Sequence, residues 1–287
     1  MARISYLLEH PNHGLFKYRL KQQPRVQAAF TAHYLRLEKA SRAFQRTERL
    51  SLLKPMCLDI ANQASLAAYA DGLPFSEFMR DAADDHPIQL ELLQHTGEWS
   101  GAYHRYQSFG DPHFQPKHAV NYYHDLSEKI QTGDLKFVSK PLILRGVEQL
   151  SELATKYSNQ QTVSAVQYGD FHMRNLIFDV TCMPGINISR NQPAPVGQDI
   201  ARLLLDYTAI LRSSKELENG QIISADAIEA FFRGYRQVGH DDPSVQFLSY
   251  AKILGSLVNV PQRRNERSKT NQKTLERLRP IAQVAFA

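Results

Sequence analysis

Apolar and polar positions in the first quarter of the chain predict a strand, a helix and a second strand. Residues 14–20, G-L-F-K-Y-R-L, alternate apolar and basic side chains with the period of two of a β-strand. From Pro24 onward, apolar residues recur at steps of three and four on one face of a helix: Val26, Phe30, Tyr34 and Leu37. The apolar run S-L-A-A-Y-A-D-G-L-P-F at 65–75 predicts a second strand, which Asp-Gly and Pro end.

The pattern then changes to long helical segments. Helices are predicted over 75–81, 88–106, 120–131 and 141–157. This change places a domain boundary after residue 71, with a first domain at 1–71 and a second at 72–287. Strand signals return at 163–168 and 176–178, and a strand running back is predicted at 185–188. The stretch between the first two of these strands, Y-G-D-F-H-M-R-N, is therefore a loop that precedes a hairpin.

Composition narrows the class of protein without naming a reaction. The 287 residues are 43% hydrophobic, which is enough for a substantial core, and the formal net charge of +5 suits an anionic ligand. Cys57 and Cys182 lie far apart, so neither a disulfide framework nor a structural zinc site is expected. No apolar stretch is long enough to cross a bilayer, so we expect a cytoplasmic protein without membrane insertion. No nucleic-acid-binding signature is present.

Asp170 and Asn175 carry the chemistry that the loop predicts. Phosphoryl transfer of the kinase type requires a carboxylate that accepts the proton of the acceptor hydroxyl, and an amide oxygen that helps to hold magnesium on the nucleotide phosphates. The spacing D-x-x-x-x-N supplies both groups from one loop. His172 is also a base by type, although a role in orienting the loop or contacting substrate is favoured. Asp199 begins a helical run and is expected to cap that helix or to brace the loop.

The loop and three further motifs resemble those of the aminoglycoside phosphotransferase and choline kinase-like family. Its catalytic loop reads H-G-D-[FL]-H-x-x-N, and Y-G-D-F-H-M-R-N at 168–175 differs in Tyr168. The other matching motifs are G-E-W with Tyr103-His104 at 97–104, D-I-A-R-L-L-L-D at 199–206 and F-F-R-G-Y at 231–235. The resemblance implies an α+β, protein kinase-like two-lobed fold, with a small antiparallel-sheet N-terminal lobe and a larger, mainly helical C-terminal lobe.

The resemblance also implies an activity and assigns site residues. It implies an ATP-dependent phosphotransferase that uses Mg²⁺ and a small-molecule acceptor, with Asp170 as the catalytic base and Asn175 as a magnesium ligand. Lys17 is the candidate for contacting the nucleotide phosphates, with Glu38 as its helix partner and Lys21 as the alternative lysine. The backbone from Ala68 to Ala70 would meet the adenine edge.

One departure from the family pattern leaves a second function open. Where the family carries G-x-[IV]-D-[FW], whose aspartate is the principal magnesium ligand, this chain reads Gly185-Ile186-Asn187-Ile188. An asparagine oxygen can coordinate magnesium, but it brings no negative charge to a hard cation. The alternative is therefore a pseudokinase or nucleotide-binding regulatory module that lacks a competent metal site.

Overall fold

The structure, a computed structural model, describes most of the chain. The described residues are 3–11, 14–21, 27–44, 50–53, 55–62, 64–137, 139–178, 183–186, 188, 192–211, 217–260 and 268–287. None of the helices within these ranges is long and apolar enough to cross a membrane.

A four-stranded antiparallel sheet occupies the N-terminal part. Its strands are β1 (Arg3–His10), β2 (Gly14–Lys21), β4 (Pro55–Asp59) and β5 (Ala64–Ala68), in the spatial order β1-β2-β5-β4. The helix α1 (Gln27–Ser41) follows β2 along the chain, and Leu37 and Ala40 on it are buried. The predicted strand at 14–20 and the helix after it are confirmed, whereas β1 was not predicted. The predicted strand at 65–75 is divided into β5 and the two-residue β6 (Leu73–Pro74).

Helices form most of the remaining chain. They are α2 (Phe75–Asp81), α3 (His86–Tyr106), α4 (Lys117–Gln131), α5 (Lys140–Tyr157), α6 (Gly197–Leu211), α7 (Ala225–Tyr235), α8 (Pro243–Val258) and α9 (Lys269–Ala285). Polar side chains stabilise several helix starts: Asp85 accepts a hydrogen bond from the backbone N–H of Ile88, and Asp242 accepts from Ser244 and Val245. The helices predicted at 75–81, 88–106, 120–131 and 141–157 are confirmed within three residues at each end.

Glycines allow α3 and α7 to approach closely. A Cβ atom at Gly97 would lie 2.1 Å from the carbonyl oxygen of Phe231, and one at Gly234 would lie 2.0 Å from that of Gln94. Both positions therefore exclude any side chain. Trp99, two residues beyond Gly97, is fully buried and stacks on Phe44 of the N-terminal part and on Phe171 of the loop at 167–175. This packing connects the two parts of the chain through one core.

Short strands frame the loop at 167–175. The strand β7 (Ser164–Val166) pairs with β10 (Pro193–Pro195), β8 (Ile177–Phe178) pairs with β6, and β9 (Met183–Gly185) runs parallel to β3 (Leu50–Leu52). Leu176 and Gly185 form an antiparallel bridge, so the predicted hairpin is present. The returning strand β9 ends at Gly185, whereas the prediction began the strand there. The local pattern could not locate β9 because its partner β3 is distant in sequence. Gly185 is required here since a Cβ would lie 2.3 Å from Cζ2 of Trp99.

Candidate active site

Asp170 presents its carboxylate at the surface of the loop between β7 and β8. Its side chain is 45% exposed, so the carboxylate is accessible to a substrate. Nη2 of Arg202 lies 2.8 Å from Oδ1, and Nε2 of His172 lies 3.3 Å from Oδ2. The arginine orients one oxygen of the carboxylate, while the other faces the imidazole and solvent.

Asn175 is buried next to Asp170. Its Nδ2 donates a hydrogen bond of 2.7 Å to the backbone carbonyl of Asp170 and lies 3.3 Å from Nε2 of His172. The backbone carbonyl of Asn175 accepts a hydrogen bond from the backbone N–H of Ile186 at 2.8 Å. An amide whose nitrogen is committed in this way can offer a cation only its oxygen. The structure thus brings together Asp170 and Asn175, as the spacing predicts, with His172 between them.

The helix α6 holds the loop through three side chains at i, i+3 and i+7. Asp199, 2% exposed, accepts hydrogen bonds from the backbone N–H groups of Tyr168 at 2.6 Å and Gly169 at 3.1 Å. One turn later, Arg202 contacts Asp170, and Asp206 accepts from the N–H of Met173 at 3.0 Å. Asp199 therefore braces the loop, which was one of its two expected roles.

Tyr168 occupies the position at which the family motif carries histidine. It is fully buried, and its hydroxyl donates to the carbonyls of Ile186 and Asn175. Burial, together with the nearby Tyr103 and Asp199, raises the pKa of Tyr168 well above 10, so the hydroxyl stays protonated. The tyrosine ties the catalytic loop to the segment that returns after the hairpin.

His172 is mainly neutral at physiological pH. Burial lowers its pKa below 6.5, and the neighbouring carboxylates of Asp170 and Asp206 oppose that shift only in part. Its Nδ1 is buried and has no hydrogen-bond partner among the described residues. A neutral ring wedged between Asp170 and Asn175 fits an orienting role.

The N-terminal residues predicted to bind nucleotide lie on two elements. Lys17 lies on β2 opposite Ala67 of β5. Glu38, on α1, is half exposed and has Arg42 at 4.0 Å as an ion-pair partner. Ala68 ends β5, paired with Phe16, and Ala70 follows in the segment toward β6. The pairing of Lys17 with Glu38 and the adenine contact stay predictions.

The metal ligands are only partly described. Asn187 lies outside the described residues. Within the described ranges, no group of three or more His, Cys, Asp or Glu side chains could hold a metal ion. Asn175 nevertheless offers an amide oxygen, and Mg²⁺ completes its coordination with phosphates and water. This donor fits magnesium that arrives with a nucleotide.

Two cavities meet at Arg202. One, of about 220 Å³, is lined by Gly169, Asp199 and Tyr123 among others. The other, of about 350 Å³, lies between α2, the catalytic loop, α6, α8 and α9. Arg202 and Lys252 line both. Sequence reasoning did not assign Arg202 to the site, although its i+3 spacing from Asp199 on one helix face would have suggested it.

Solved structures share this architecture at low sequence identity. A glucosamine kinase in complex with glucosamine, ADP and inorganic phosphate aligns with a TM-score of 0.61 and 13% identity, over 97% of this chain and 74% of that one. This chain has a protein kinase-like fold. A thermostable mutant of the aminoglycoside phosphotransferase APH(4)-Ia aligns with a TM-score of 0.55, 12% identity and 99% and 90% coverage.

A third similar structure is the amicoumacin kinase hAmiN in complex with AMP-PNP, Ca²⁺ and Ami. It aligns with a TM-score of 0.53 and 13% identity, over 97% of this chain and 88% of that one. No family model and no curated protein matches the sequence. The predicted α+β, two-lobed kinase-like fold is therefore confirmed, and so is the resemblance in fold to small-molecule kinases.

Proposed function

We propose that this protein is an ATP-dependent phosphotransferase that moves the terminal phosphate of ATP to a hydroxyl group of a small molecule. The observation that carries the proposal is the half-exposed carboxylate of Asp170. Arg202 contacts this carboxylate at 2.8 Å, and the side chain of Asn175 donates a hydrogen bond to the backbone carbonyl of Asp170. The similar structures that hold ADP or AMP-PNP support the use of a nucleotide.

In the proposed reaction, Asp170 accepts the proton of the acceptor hydroxyl. The hydroxyl oxygen forms a bond to the terminal phosphorus, the bond from that phosphorus to the bridging oxygen breaks, and ADP leaves. Arg202 and His172 fix the carboxylate, so little reorganisation is required when the proton moves. Asn175 and Asn187 would hold Mg²⁺, which neutralises charge on the phosphates when it is bound.

The nucleotide is assigned to the N-terminal part. We place ATP between the N-terminal part, residues 1–71, and the helical part, residues 72–287. Lys17 would contact its phosphates, with Glu38 as the partner of Lys17. The backbone of Ala68 and Ala70 would contact the adenine. The proposal assigns the acceptor to the helical part, on the side of the loop where Arg202 lies.

Asn187 favours a second candidate, a pseudokinase that binds nucleotide without transferring phosphate. An asparagine at the position of the family aspartate removes one negative charge from the metal site. Each loss of about 1.4 kcal/mol in transition-state stabilisation slows turnover about tenfold, so a metal site weakened by several kcal/mol would leave little transfer.

Phosphate transfer from radiolabelled ATP to a panel of hydroxyl compounds tests both candidates. For the enzyme, Asp170→Asn is expected to lower transfer by about 10²-fold to 10⁴-fold, because the base is lost, with nucleotide affinity nearly unchanged. For the pseudokinase, the native chain binds ATP but transfers nothing, and Asn187→Asp gains activity. Transfer that persists unchanged in Asp170→Asn contradicts the assignment of the base.

A further inference from the structure

The 350 Å³ cavity beside the catalytic loop has a strongly basic lining. Six cationic side chains from five separate elements converge on it: Arg80, Arg174, Arg202, Lys252, Lys273 and Arg277. Among the described residues, Asp206 is the single carboxylate in the lining of this cavity. Charged surface residues usually spread apart, since like charges in one concavity repel each other. Their convergence therefore points to an anionic ligand, whose negative charge would offset this repulsion.

The cavity is connected to the catalytic loop. Arg202 lines the cavity and also contacts Oδ1 of Asp170 at 2.8 Å. Arg174 belongs to the loop itself and directly precedes Asn175. Asp206 accepts from the backbone N–H of Met173, so its one negative charge is directed at the loop. The side chain of Arg202 therefore separates a molecule in the cavity from the proposed base.

The described part of the protein leaves most of the positive charge in the cavity without an opposite charge. Among the described residues, no carboxylate lies within 4.0 Å of the charged groups of Arg80, Arg174, Lys273 or Arg277. A cationic acceptor would be repelled here, whereas an oxyanion would gain charge-assisted hydrogen bonds. Arginine, which contributes four of the six cations, presents a planar fork of N–H groups that matches phosphate oxygens.

We infer that this cavity binds the acceptor substrate, and that the acceptor already carries a phosphate monoester in addition to the hydroxyl that receives the new phosphate. This inference rests on the proposed phosphotransferase function. A volume of about 350 Å³ suits a molecule of the size of a sugar phosphate. The cationic lining holds the existing phosphate, and Asp170 faces the hydroxyl.

A matched pair of double variants on α9 tests the inference. Lys273→Gln/Arg277→Gln removes two cations that line the cavity, and Lys269→Gln/Arg279→Gln removes the same two residue types from exposed positions of the same helix that do not line it. Both double variants have the same net charge. Thermal unfolding of each confirms that the variants fold, which is expected because all four side chains are exposed or at the rim.

The measurement is calorimetric binding of inorganic phosphate at constant ionic strength, with AMP-PNP and Mg²⁺ present at saturation to fill the nucleotide's own phosphate sites. The native chain is expected to bind phosphate. The lining variant should raise the Kd about tenfold or more, since two charge-assisted contacts are lost. The Kd of the control variant should stay within about twofold of the native value. Glycerol 3-phosphate should bind and glycerol should not.

Three results would overturn the inference. The first is a native chain that binds no phosphate once AMP-PNP is bound. The second is an equal loss in both double variants, which would reflect only the overall charge. The third is phosphate transfer to unphosphorylated hydroxyl compounds at native rates by the lining variant, in which case the phosphotransferase proposal stands and the anionic acceptor falls. Conversely, phosphate binding of the expected pattern without any transfer from ATP supports the anion site and contradicts the phosphotransferase.

Discussion

At the scale of single residues, the candidate site depends on side chains that hold other side chains. Asp170 has the exposure that a base needs, but its orientation comes from Arg202 on one oxygen and His172 on the other. Tyr168 holds the backbone of the loop in a similar way, because its buried hydroxyl donates a hydrogen bond to the carbonyl of Ile186. Tyr168 therefore links the loop to the returning segment.

His172 gives the stability of the protein a specific dependence on pH. Its pKa in the folded chain lies below the value of 6.5 expected when unfolded, so the unfolded chain binds more protons between these two pKa values. Stability is fully present above 6.5 and falls as the pH is lowered from 6.5 to the folded pKa. Below that pKa, His172 adds no further loss.

Urea unfolding between pH 7.5 and pH 5 measures this effect. His172→Gln is expected to show a smaller decrease in the free energy of unfolding over this range than the native chain. His118→Gln, at an exposed position on α4, serves as the control substitution and should follow the native curve. Identical curves for His172→Gln and the native chain would mean that this ring is not desolvated as described.

At the scale of elements, α6 is the support of the catalytic loop. One face of this helix presents Asp199, Arg202 and Asp206 to three successive parts of the loop. Asp199 also contacts α3, because Nε2 of His104 lies 3.3 Å from its carboxylate. Nδ1 of His104 lies 2.9 Å from the hydroxyl of Tyr235 on α7. The motifs at 97–104, 199–206 and 231–235 are thus parts of one buried network behind the loop.

Asp199→Ala is expected to destabilise the protein by about 2–4 kcal/mol, because two buried backbone N–H groups lose their acceptor. Asp199→Asn retains one oxygen acceptor and should cost less. The midpoint of urea unfolding measures the difference, provided that the slope of the transition is unchanged. An alanine variant that unfolds at the native midpoint would show that the loop does not depend on this carboxylate.

At the scale of the whole molecule, the N-terminal part and the helical part share one core. Trp99 of α3 stacks on Phe44 and Phe171, and its Nε1 donates to the carbonyl of Ser51 at 3.0 Å. A second core is formed by α4, α5, α8 and α9, and Leu205 of α6 belongs to it while Leu204 belongs to the first. The helix that supports the catalytic loop therefore also joins the two cores.

A nucleotide bound between the two parts should stabilise the whole chain. At a hundredfold excess over its Kd, AMP-PNP with Mg²⁺ is expected to raise the free energy of unfolding by about 2.7 kcal/mol. Omitting Mg²⁺ should reduce this gain, as should Lys17→Gln. Lys21 lies on the same strand as Lys17, so Lys21→Gln is the matched control. If only Lys21→Gln reduces the gain in stability, the phosphate contact belongs to Lys21. Absence of any stabilisation contradicts nucleotide binding.

Local patterns in the sequence were sufficient for α1 to α5 and for the loop with Asp170 and Asn175, whereas α8 and α9 were not predicted. Helix periodicity and turn residues act over a few positions, and D-x-x-x-x-N places both side chains in one short segment. The start of the returning strand was misplaced because β9 pairs with β3, more than a hundred positions away in the chain. Strand boundaries follow such distant partners and not the local alternation alone.

The sequence by itself determined which polar side chains the loop carries, while tertiary structure decided what surrounds that loop. Arg202 meets Asp170, and Arg80, Lys273 and Arg277 meet at one cavity, although they come from helices distant in sequence. A single sequence shows each of them only as a cation within its own local segment. Their convergence depends on how the helices pack around two shared cores, and packing joins residues that no local pattern relates.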